Sequence, residues 1–294
     1  VGTPNLAKLF AELGIQATFL FSLGPDHTGW ALKRIFRPGF LKKVSRTSVV
    51  EHYGIKTLLY GVLLPAPDIG KTAAHEMRAV DQGGHETGIH TWDHVYWQDH
   101  VYQRDATWTR LQMQKAYDRF CEIFKHPPLT HGAAGWQMNE AALKQLDDWG
   151  MQYASDGRSA PNLAPYRIQF NSVRSKHVQY PTTLPTFDEL IGVDGRDALG
   201  AAKAILELTQ SNPNDQVFTL HAELEGQKLL PAFKALLQGW LAQGHELVTM
   251  GQLHRSWLAT GQLDKIATEP FQYGSIANRS GELMIQMRHA TNFT

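Results

Sequence analysis

The sequence predicts an α/β fold in which parallel strands alternate with helices. Short apolar segments alternate with amphipathic helical patterns from one end of the chain to the other, and no polar linker separates them. The 294 residues, of which 43% are apolar, suffice for one full hydrophobic core. Histidines and aspartates follow several apolar segments, which is where open α/β folds place their reactive groups.

The first elements follow from capping residues and apolar periodicity. A helix is predicted from Thr3, a candidate N-cap, to Gly14, and a buried strand follows over residues 15–21. Asp68 is expected to cap the next helix, which extends to about Val80 and leads into a short strand.

The later elements continue the same alternation after a predicted loop over 97–102. Residues 107–124 form a long helical pattern with Leu111 on its inward face. Residues 1–260 are therefore predicted to be a single domain, and residues 261–294, which show no periodicity, a surface tail packed on it. The remaining predicted strands cover 129–136 with its loop, 151–155, 178–186 with its loop, 215–220 and 247–250. The remaining predicted helices cover 139–150, 196–208, 229–241 and 253–258.

Composition excludes several classes of protein. The formal net charge is zero and the pI is about 7.4, so the chain as a whole gives no reason to expect nucleic acid as a partner. Cys121 is the single cysteine, which excludes an internal disulfide, fits a reducing compartment and suits a small core residue. No run of about 18 apolar residues predicts a membrane span, and no signal peptide is visible. Because Val1 is not an initiator methionine and opens directly on a helix, we expect upstream residues to be missing.

Residues 25–65 are predicted to be an insertion with an excess of positive charge. Large apolar and aromatic side chains are interleaved with the basic ones, a pattern that favours binding in the headgroup plane of an anionic membrane. The alternative is a solvated basic face on helices packed against the core. The basic positions proposed to face the membrane are Lys33, Arg34, Arg37, Lys42, Lys43 and Arg46.

The most informative stretch runs from Gly84 to His94 and reads Gly-His-Glu-Thr-Gly-Ile-His-Thr-Trp-Asp-His. It places His90 and His94 four residues apart, just after a predicted strand. Neutral imidazole is the commonest protein ligand for a transition metal, and a pair at this spacing can chelate one ion. The two histidines therefore predict part of a metal site.

This stretch resembles the second motif of the polysaccharide deacetylase superfamily, which is also called carbohydrate esterase family 4 or the NodB-homology domain. The resemblance implies a distorted, partly closed (β/α) barrel of about seven strands with its reactive groups at the strand carboxyl ends. It also implies one divalent ion held by His90, His94 and an upstream aspartate, a set that suits zinc, manganese and cobalt alike. The family strand that carries this aspartate and the catalytic base precedes Val1, so we expect the N-terminal strand to be missing.

A second family motif corresponds to residues 129–136. In the family this loop walls the cleft and supplies a backbone N–H to the oxyanion hole, which implies substrate binding by Ala134 and Trp136. The arginine that contacts the catalytic aspartate in the family is replaced by His131 or lost.

Two further motifs supply side chains. Asp156 resembles the aspartate that orients the catalytic histidine, and Arg158 beside it could bind a phosphate or form a loop salt bridge. His221 matches the histidine that acts as general acid, a role suited to imidazole, whose ordinary pKa is about 6.5. Glu223, which follows His221, is assigned to substrate binding.

The order of the segments His-Thr-Trp-Asp-His, Ala-Ala-Gly-Trp, Ser-Asp-x-Arg and Thr-Leu-His-Ala-Glu-Leu-Glu-Gly resembles one family more closely. These are the bacterial 4-deoxy-4-formamido-L-arabinose-phosphoundecaprenol deformylases. The resemblance implies removal of a formyl group from a sugar on undecaprenyl phosphate, by a peripheral protein on the cytoplasmic face of the inner membrane, in lipid A modification and polymyxin resistance. The alternatives are a peptidoglycan- or chitin-type N-deacetylase and a catalytically inactive membrane-binding relative.

Overall fold

The computed structural model of the protein describes residues 2–31, 59–160, 165–279 and 281–286. The basic positions predicted to face a membrane lie outside these residues, namely Lys33, Arg34, Arg37, Lys42, Lys43 and Arg46. In the described ranges, no helix combines the length and the apolar character that a membrane crossing needs.

The strands of the described residues form two sheets. They are β1 (Thr18–Ser22), β2 (Glu86–Thr91), β3 (Thr130–His131), β4 (Tyr153–Ala154), β5 (Arg167–Phe170), β6 (Val173–Arg174), β7 (Val178–Gln179), β8 (Thr268–Gly274) and β9 (Leu283–Gln286). Five parallel strands form the main sheet, in the order β1-β2-β3-β4-β7. The second sheet has the order β6-β5-β8-β9, with β5 and β8 parallel and the other two pairs antiparallel.

Helices alternate with the strands of the main sheet along the chain and cover it with apolar side chains. The core between them includes Ile89 of β2, Phe120 and Leu143, all essentially inaccessible to water. The helices are α1 (Gly2–Leu13), α2 (Ile69–Thr72), α3 (Ala74–Gln82), α4 (His94–His100), α5 (Ala106–Phe124), α6 (Glu140–Asp148), α7 (Phe187–Leu190), α8 (Ala198–Thr209), α9 (Ala222–Glu225), α10 (Leu230–Ala242) and α11 (Met250–Ala259).

The predicted α/β class is confirmed by this architecture. The main sheet is parallel throughout, and its strands do not close into a complete barrel within the described ranges. The caps predicted at Asp68 and Asn139 are also confirmed, because their side chains accept hydrogen bonds from Lys71 N and Ala142 N. The helix after Asp68 is interrupted at Ala73, which separates α2 from α3.

Several predicted elements differ from the structure. Residues 97–102 are not a loop, since α4 covers most of them. The segment 215–220 is not assigned as a strand, because it is bonded to its neighbours only locally, where Val217 O accepts from Thr183 N and Leu184 N. Residues 247–249 form no strand either. Leu111, predicted to face inward, is 53% exposed.

The segment after residue 260, expected to be a tail without regular structure, contains β8 and β9. Every residue of β9 is buried. The backbone of Arg158 forms bridges to both Thr182 and Ile285, so β9 lies beside the segment that follows β4. This part of the chain is therefore built into the body of the protein.

Candidate active site

The candidate site lies at the carboxyl ends of the parallel strands, on the wall of a cavity of about 1980 Å³. The same cavity extends along β1 and along the extended segment 215–221. Its lining includes three histidines, His90, His94 and His221, together with Trp136, Glu223 and Arg279.

His90 lies at an irregularity in the pairing of β1 with β2. The register skips His90 directly after the Phe21–Ile89 pair, so His90 is the extra residue of a β-bulge. Bulges redirect a side chain and occur often beside active sites. The imidazole is then fixed by a 2.5 Å hydrogen bond in which its Nδ1–H donates to the carbonyl oxygen of Gly132. This bond leaves the lone pair of His90 on Nε2.

The environment of His90 keeps its imidazole neutral. Burial lowers its pKa to about 4, and this effect outweighs the opposing hydrogen bond to Gly132. The nearby imidazoles of His131 and His221 lower the pKa further, and the Asp156 carboxylate raises it. Neutral imidazole is the form that binds a transition metal.

His94 is the first residue of α4, which is N-capped by Asp93. The ring centroids of His90 and His94 lie 5.1 Å apart, so a strand end and a helix start bring the pair together rather than one helical turn. Asp93 Oδ2 is also 2.5 Å from Nδ1 of His27, which stacks on Trp30 with ring centroids 3.8 Å apart. Both ends of the Asp93 carboxylate are therefore engaged in holding the start of α4.

The His90–His94 pair fits a divalent transition metal as two of its ligands. The donor type is right, and the carbonyl of Gly132 provides the outer contact that normally orients a metal-binding histidine. Across the described ranges, no group of three histidine, cysteine or carboxylate side chains converges as a complete ligand set. A third protein ligand is thus not among the described side chains.

Asp156 lies in a buried polar network. Its Oδ1 is 2.6 Å from Nδ1 of His131, and its Oδ2 accepts a 2.7 Å hydrogen bond from Nε2 of Gln179. Gln179 also contacts His177, whose Nδ1 is 2.7 Å from Asp147. Asp156 was predicted to orient the catalytic histidine, but its hydrogen-bond partners here are His131 and Gln179 rather than His221.

His221 ends the extended segment and is the N-cap residue of α9. Its backbone N–H donates a 2.8 Å hydrogen bond to Oε2 of Glu225 in the same short helix. The Nδ1 atom of His221 is buried and has no hydrogen-bond partner in the described part of the chain. The predicted acid is therefore held through its backbone, while its ring is left to face the cavity beside Glu223.

Glu225 is a buried carboxyl group that the sequence analysis did not identify. It is fully inaccessible, and its Oε1 has no partner within the described residues. Burial, the largest cause, raises its pKa to about 8, against smaller opposing effects of the hydrogen bonds from the His221 and Glu225 backbones. Glu225 is accordingly protonated at neutral pH.

The loop 132–136 forms one wall of the cavity. A Cβ atom at Gly132 would lie 2.2 Å from Leu20 Cδ1 and 3.3 Å from Ser155 O, so any larger residue here would require the Leu20 side chain to move. Gly135 and Trp136 both have positive φ, of 63° and 53°. Because a bulky residue rarely adopts this conformation, the backbone at Trp136 is strained and is held in place by the surrounding structure.

The four residues of this loop that line the cavity are Gly132, Ala133, Gly135 and Trp136, whereas Ala134 is fully buried and does not. The sequence predicts that Ala134 binds substrate through its backbone N–H in an oxyanion hole, a role that needs no particular side chain. Trp136 N–H donates to Ala133 O, and among the described residues no acceptor is bonded to the N–H of Ala134 or Gly135.

Arg158 forms the salt bridge that was the alternative to phosphate binding. It is 3% exposed, and its NH1 and NH2 donate to the two carboxylate oxygens of Glu189 at 2.7 and 3.1 Å. NH2 also donates to Leu184 O. The guanidinium lies over the Trp136 ring at 4.9 Å and does not line the cavity.

Comparison with solved structures gives the class of protein. A probable polysaccharide deacetylase from Pseudomonas aeruginosa PAO1 has a TM-score of 0.56, covers 88% of this chain and 73% of its own, and is 18% identical. The protein therefore has the NodB-like fold of polysaccharide deacetylases, as the sequence predicts.

Two curated relatives narrow the class to a family. Each is named "Probable 4-deoxy-4-formamido-L-arabinose-phosphoundecaprenol deformylase ArnD". The relative from Shewanella sediminis (strain HAW-EB3) is 34% identical over 254 residues, which is 86% of this chain and 80% of the relative. The relative from Wigglesworthia glossinidia brevipalpis is 28% identical over 290 residues, 98% of each chain. A scan against models of protein families gives no match. The chain belongs to the 4-deoxy-4-formamido-L-arabinose-phosphoundecaprenol deformylase family, and its enzymatic class is that of the amide hydrolases.

Proposed function

We propose that the protein is a metal-dependent hydrolase that removes the N-formyl group from 4-deoxy-4-formamido-L-arabinose carried on undecaprenyl phosphate. The observation that carries the proposal is the convergence of His90, His94 and His221 on one cavity at the strand carboxyl ends. The substrate is that of the two named relatives. The products are formate and the amino sugar on its lipid carrier.

His90 and His94 would hold the divalent ion, which when bound supplies an activated water and polarises the formyl carbonyl. The neutral ring of His90, fixed through Nδ1, presents Nε2 for this purpose. Zinc, manganese and cobalt all suit the two histidines with a carboxylate.

His221 donates a proton to the sugar nitrogen as the amide C–N bond breaks, so that the nitrogen leaves as a neutral amine. The water oxygen becomes bonded to the formyl carbon, the proton that the water loses replaces the one that His221 gives to the nitrogen, and formate is released. The backbone bond to Glu225 holds His221 at the cavity wall while its ring reaches the substrate. The N–H of Gly135, which lines the cavity, would stabilise the negative charge that develops on the carbonyl oxygen.

The lipid carrier of this substrate implies that the reaction takes place at a membrane surface. We therefore propose a peripheral protein on the cytoplasmic face of the bacterial inner membrane, acting in lipid A modification with aminoarabinose and in polymyxin resistance. The basic residues between 33 and 46 would bind the anionic lipid headgroups.

The decisive experiment measures metal content and formate release by the purified full-length protein. We expect near-stoichiometric metal in the wild type and in the control His126→Ala, whose side chain is half exposed and lies outside the site. His90→Ala and His94→Ala should lose the metal, because one remaining histidine cannot hold it. Stoichiometric metal in either variant would refute the site.

The same protein should release formate from the N-formyl sugar but little acetate from its N-acetyl analogue. A preference for the N-acetyl substrate would favour a polysaccharide deacetylase. Hydrolysis of neither would favour the inactive membrane-binding relative.

A further inference from the structure

Two arginines lie over the Trp136 ring, and they differ in how fully they are paired. The guanidinium carbon of Arg158 is 4.9 Å from the ring centroid and that of Arg279 is 4.3 Å. Both ion pairs go to one carboxylate, Glu189, which is 4% exposed. Arg158 has the bidentate contact with it, at 2.7 and 3.1 Å.

Arg279 makes only one long hydrogen bond with the carboxylate of Glu189. Its NH1 is 3.5 Å from Oε1 of Glu189, at the outer limit of a hydrogen bond. The other oxygen, Oε2, already accepts from Arg158 and from the backbone N–H of Thr186. The backbone N–H of Arg279 donates to Ile276 O at 3.3 Å, but within the described residues its side chain has no hydrogen bond besides the one to Glu189. Most of its guanidinium donors therefore have no protein acceptor there. Unlike Arg158, Arg279 lines the cavity that holds His90 and His221.

We propose that Arg279, lying on Trp136 and tethered to Glu189, is an anion-binding subsite that takes the phosphate of the substrate. The proposal rests on the proposed function, in which the sugar is linked to a phosphate. A guanidinium presents paired N–H groups that match two phosphate oxygens, and its stacking on an aromatic ring fixes its orientation. Trp136 ends the loop that walls the reaction centre, so one loop contacts both the reacting amide and the base of the phosphate subsite.

The electrostatic environment of Arg279 also favours the binding of an anion. Burial, the largest cause, lowers the pKa of Arg279 despite the neighbouring carboxylates of Asp188 and Glu189. A guanidinium that has lost water contacts gains more from an anion than a fully solvated one. Asp188 lines the same cavity and its negative charge acts on Arg279, so it opposes an incoming anion. Removal of that charge should therefore strengthen phosphate binding.

Calorimetric titration of the full-length protein tests the subsite without turnover. The probes are a short prenyl monophosphate, the corresponding prenyl alcohol and inorganic phosphate. We expect the prenyl phosphate to bind more tightly than the alcohol, and Arg279→Gln to weaken its binding about ten- to a hundredfold. Arg174→Gln, which changes an exposed arginine outside the cavity, is the matched control and should bind as the wild type does.

Asp188→Asn should bind the prenyl phosphate at least about threefold more tightly. Asp188→Asn still tests the phosphate subsite if Arg279→Gln does not fold, because misfolding cannot produce a gain in affinity. Wild-type affinity in Arg279→Gln, or no gain in Asp188→Asn, would overturn the subsite. Inorganic phosphate binding as tightly as the prenyl phosphate would overturn the assignment to a lipid-linked phosphate.

The kinetic readout is the ratio of kcat/KM for the formamido sugar with its phosphate to kcat/KM for the same sugar without it. Arg279→Gln should lower this ratio at least tenfold, and an unchanged ratio would contradict the proposal. Absence of formate release by the wild type would instead refute the proposed function, while the calorimetric result would still decide the anion subsite.

Discussion

Glu225→Gln should remove a pH dependence of stability that the wild type carries between about pH 4.5 and 8. The folded protein keeps a proton on Glu225 with a pKa raised to about 8, whereas the unfolded chain releases it near the ordinary value of 4.5. The raised pKa favours the folded state fully below the unfolded value. This advantage is lost progressively as the pH rises towards the folded value.

The magnitude follows from the size of the shift. Each pH unit inside this window costs about 1.4 kcal/mol for one group, so the wild type should lose about 3 kcal/mol between pH 5 and pH 7 through Glu225 alone. A glutamine keeps an oxygen that can accept from His221 N–H and does not titrate. Its amide N–H₂ occupies the place of the unpartnered Oε1, which lowers stability by an amount that does not change with pH.

Urea denaturation at pH 5, 6, 7 and 8 measures the effect as the difference between the wild type and Glu225→Gln. Other titrating groups contribute equally to both proteins and cancel. Glu207→Gln is the matched control, because the Glu207 side chain is 64% exposed and should leave the pH profile unchanged. A wild-type minus variant difference that stays constant within about 0.5 kcal/mol from pH 5 to pH 7 would refute the reasoning.

Three other changes probe the site and its surroundings. His221→Ala should retain the metal and lose turnover by about a hundredfold or more, measured as formate release at saturating substrate; undiminished kcat would remove His221 as the acid. Gly132→Ala should lower the free energy of unfolding by about 1 kcal/mol, measured by urea denaturation, because the new Cβ would lie 2.2 Å from Leu20 Cδ1 and force that side chain to move; an unchanged free energy would show that Leu20 moves without cost. Charge reversal at residues 42, 43 and 46 should release the protein from anionic vesicles in a sedimentation assay, and unchanged binding would leave that segment a solvated face.

Capping residues and apolar periodicity, which are local features of the sequence, predicted much of the fold. Asp68 and Asn139 are side-chain caps that depend only on the residues immediately following them, and both form as predicted. The helix around Met113 and Phe120 follows from its 3.6-residue period, although Leu111 on its edge is exposed.

The elements that were missed depend on partners distant in sequence. Residues 215–220 have the composition of a strand, but a strand also needs a neighbour, and only Val217 finds backbone partners. In β9 all four residues are buried, so the alternation that would reveal a half-exposed strand is absent. The sequence therefore predicted neither the second sheet nor the position of Arg279 in the connection between β8 and β9.

The candidate site likewise combines residues that the sequence predicts with contacts that depend on strands distant in sequence. His90, His94 and His221 were identified from motif spacing, and the structure places all three on one cavity. The β-bulge that aims His90 and the pairing of Asp156 with His131 arise from contacts between strands, which spacing along one chain does not encode.

The buried network around Asp156 fixes the direction of every hydrogen in it. Asp156 N–H donates to Oε1 of Gln179, so the amide must turn Nε2 towards Oδ2 of Asp156 and Nε2 of His177. His177 must then carry its proton on Nδ1, facing Asp147. The interior of the sheet thus contains a polarised row of hydrogen bonds with one consistent direction, which runs from Asp156 through Gln179 and His177 to Asp147.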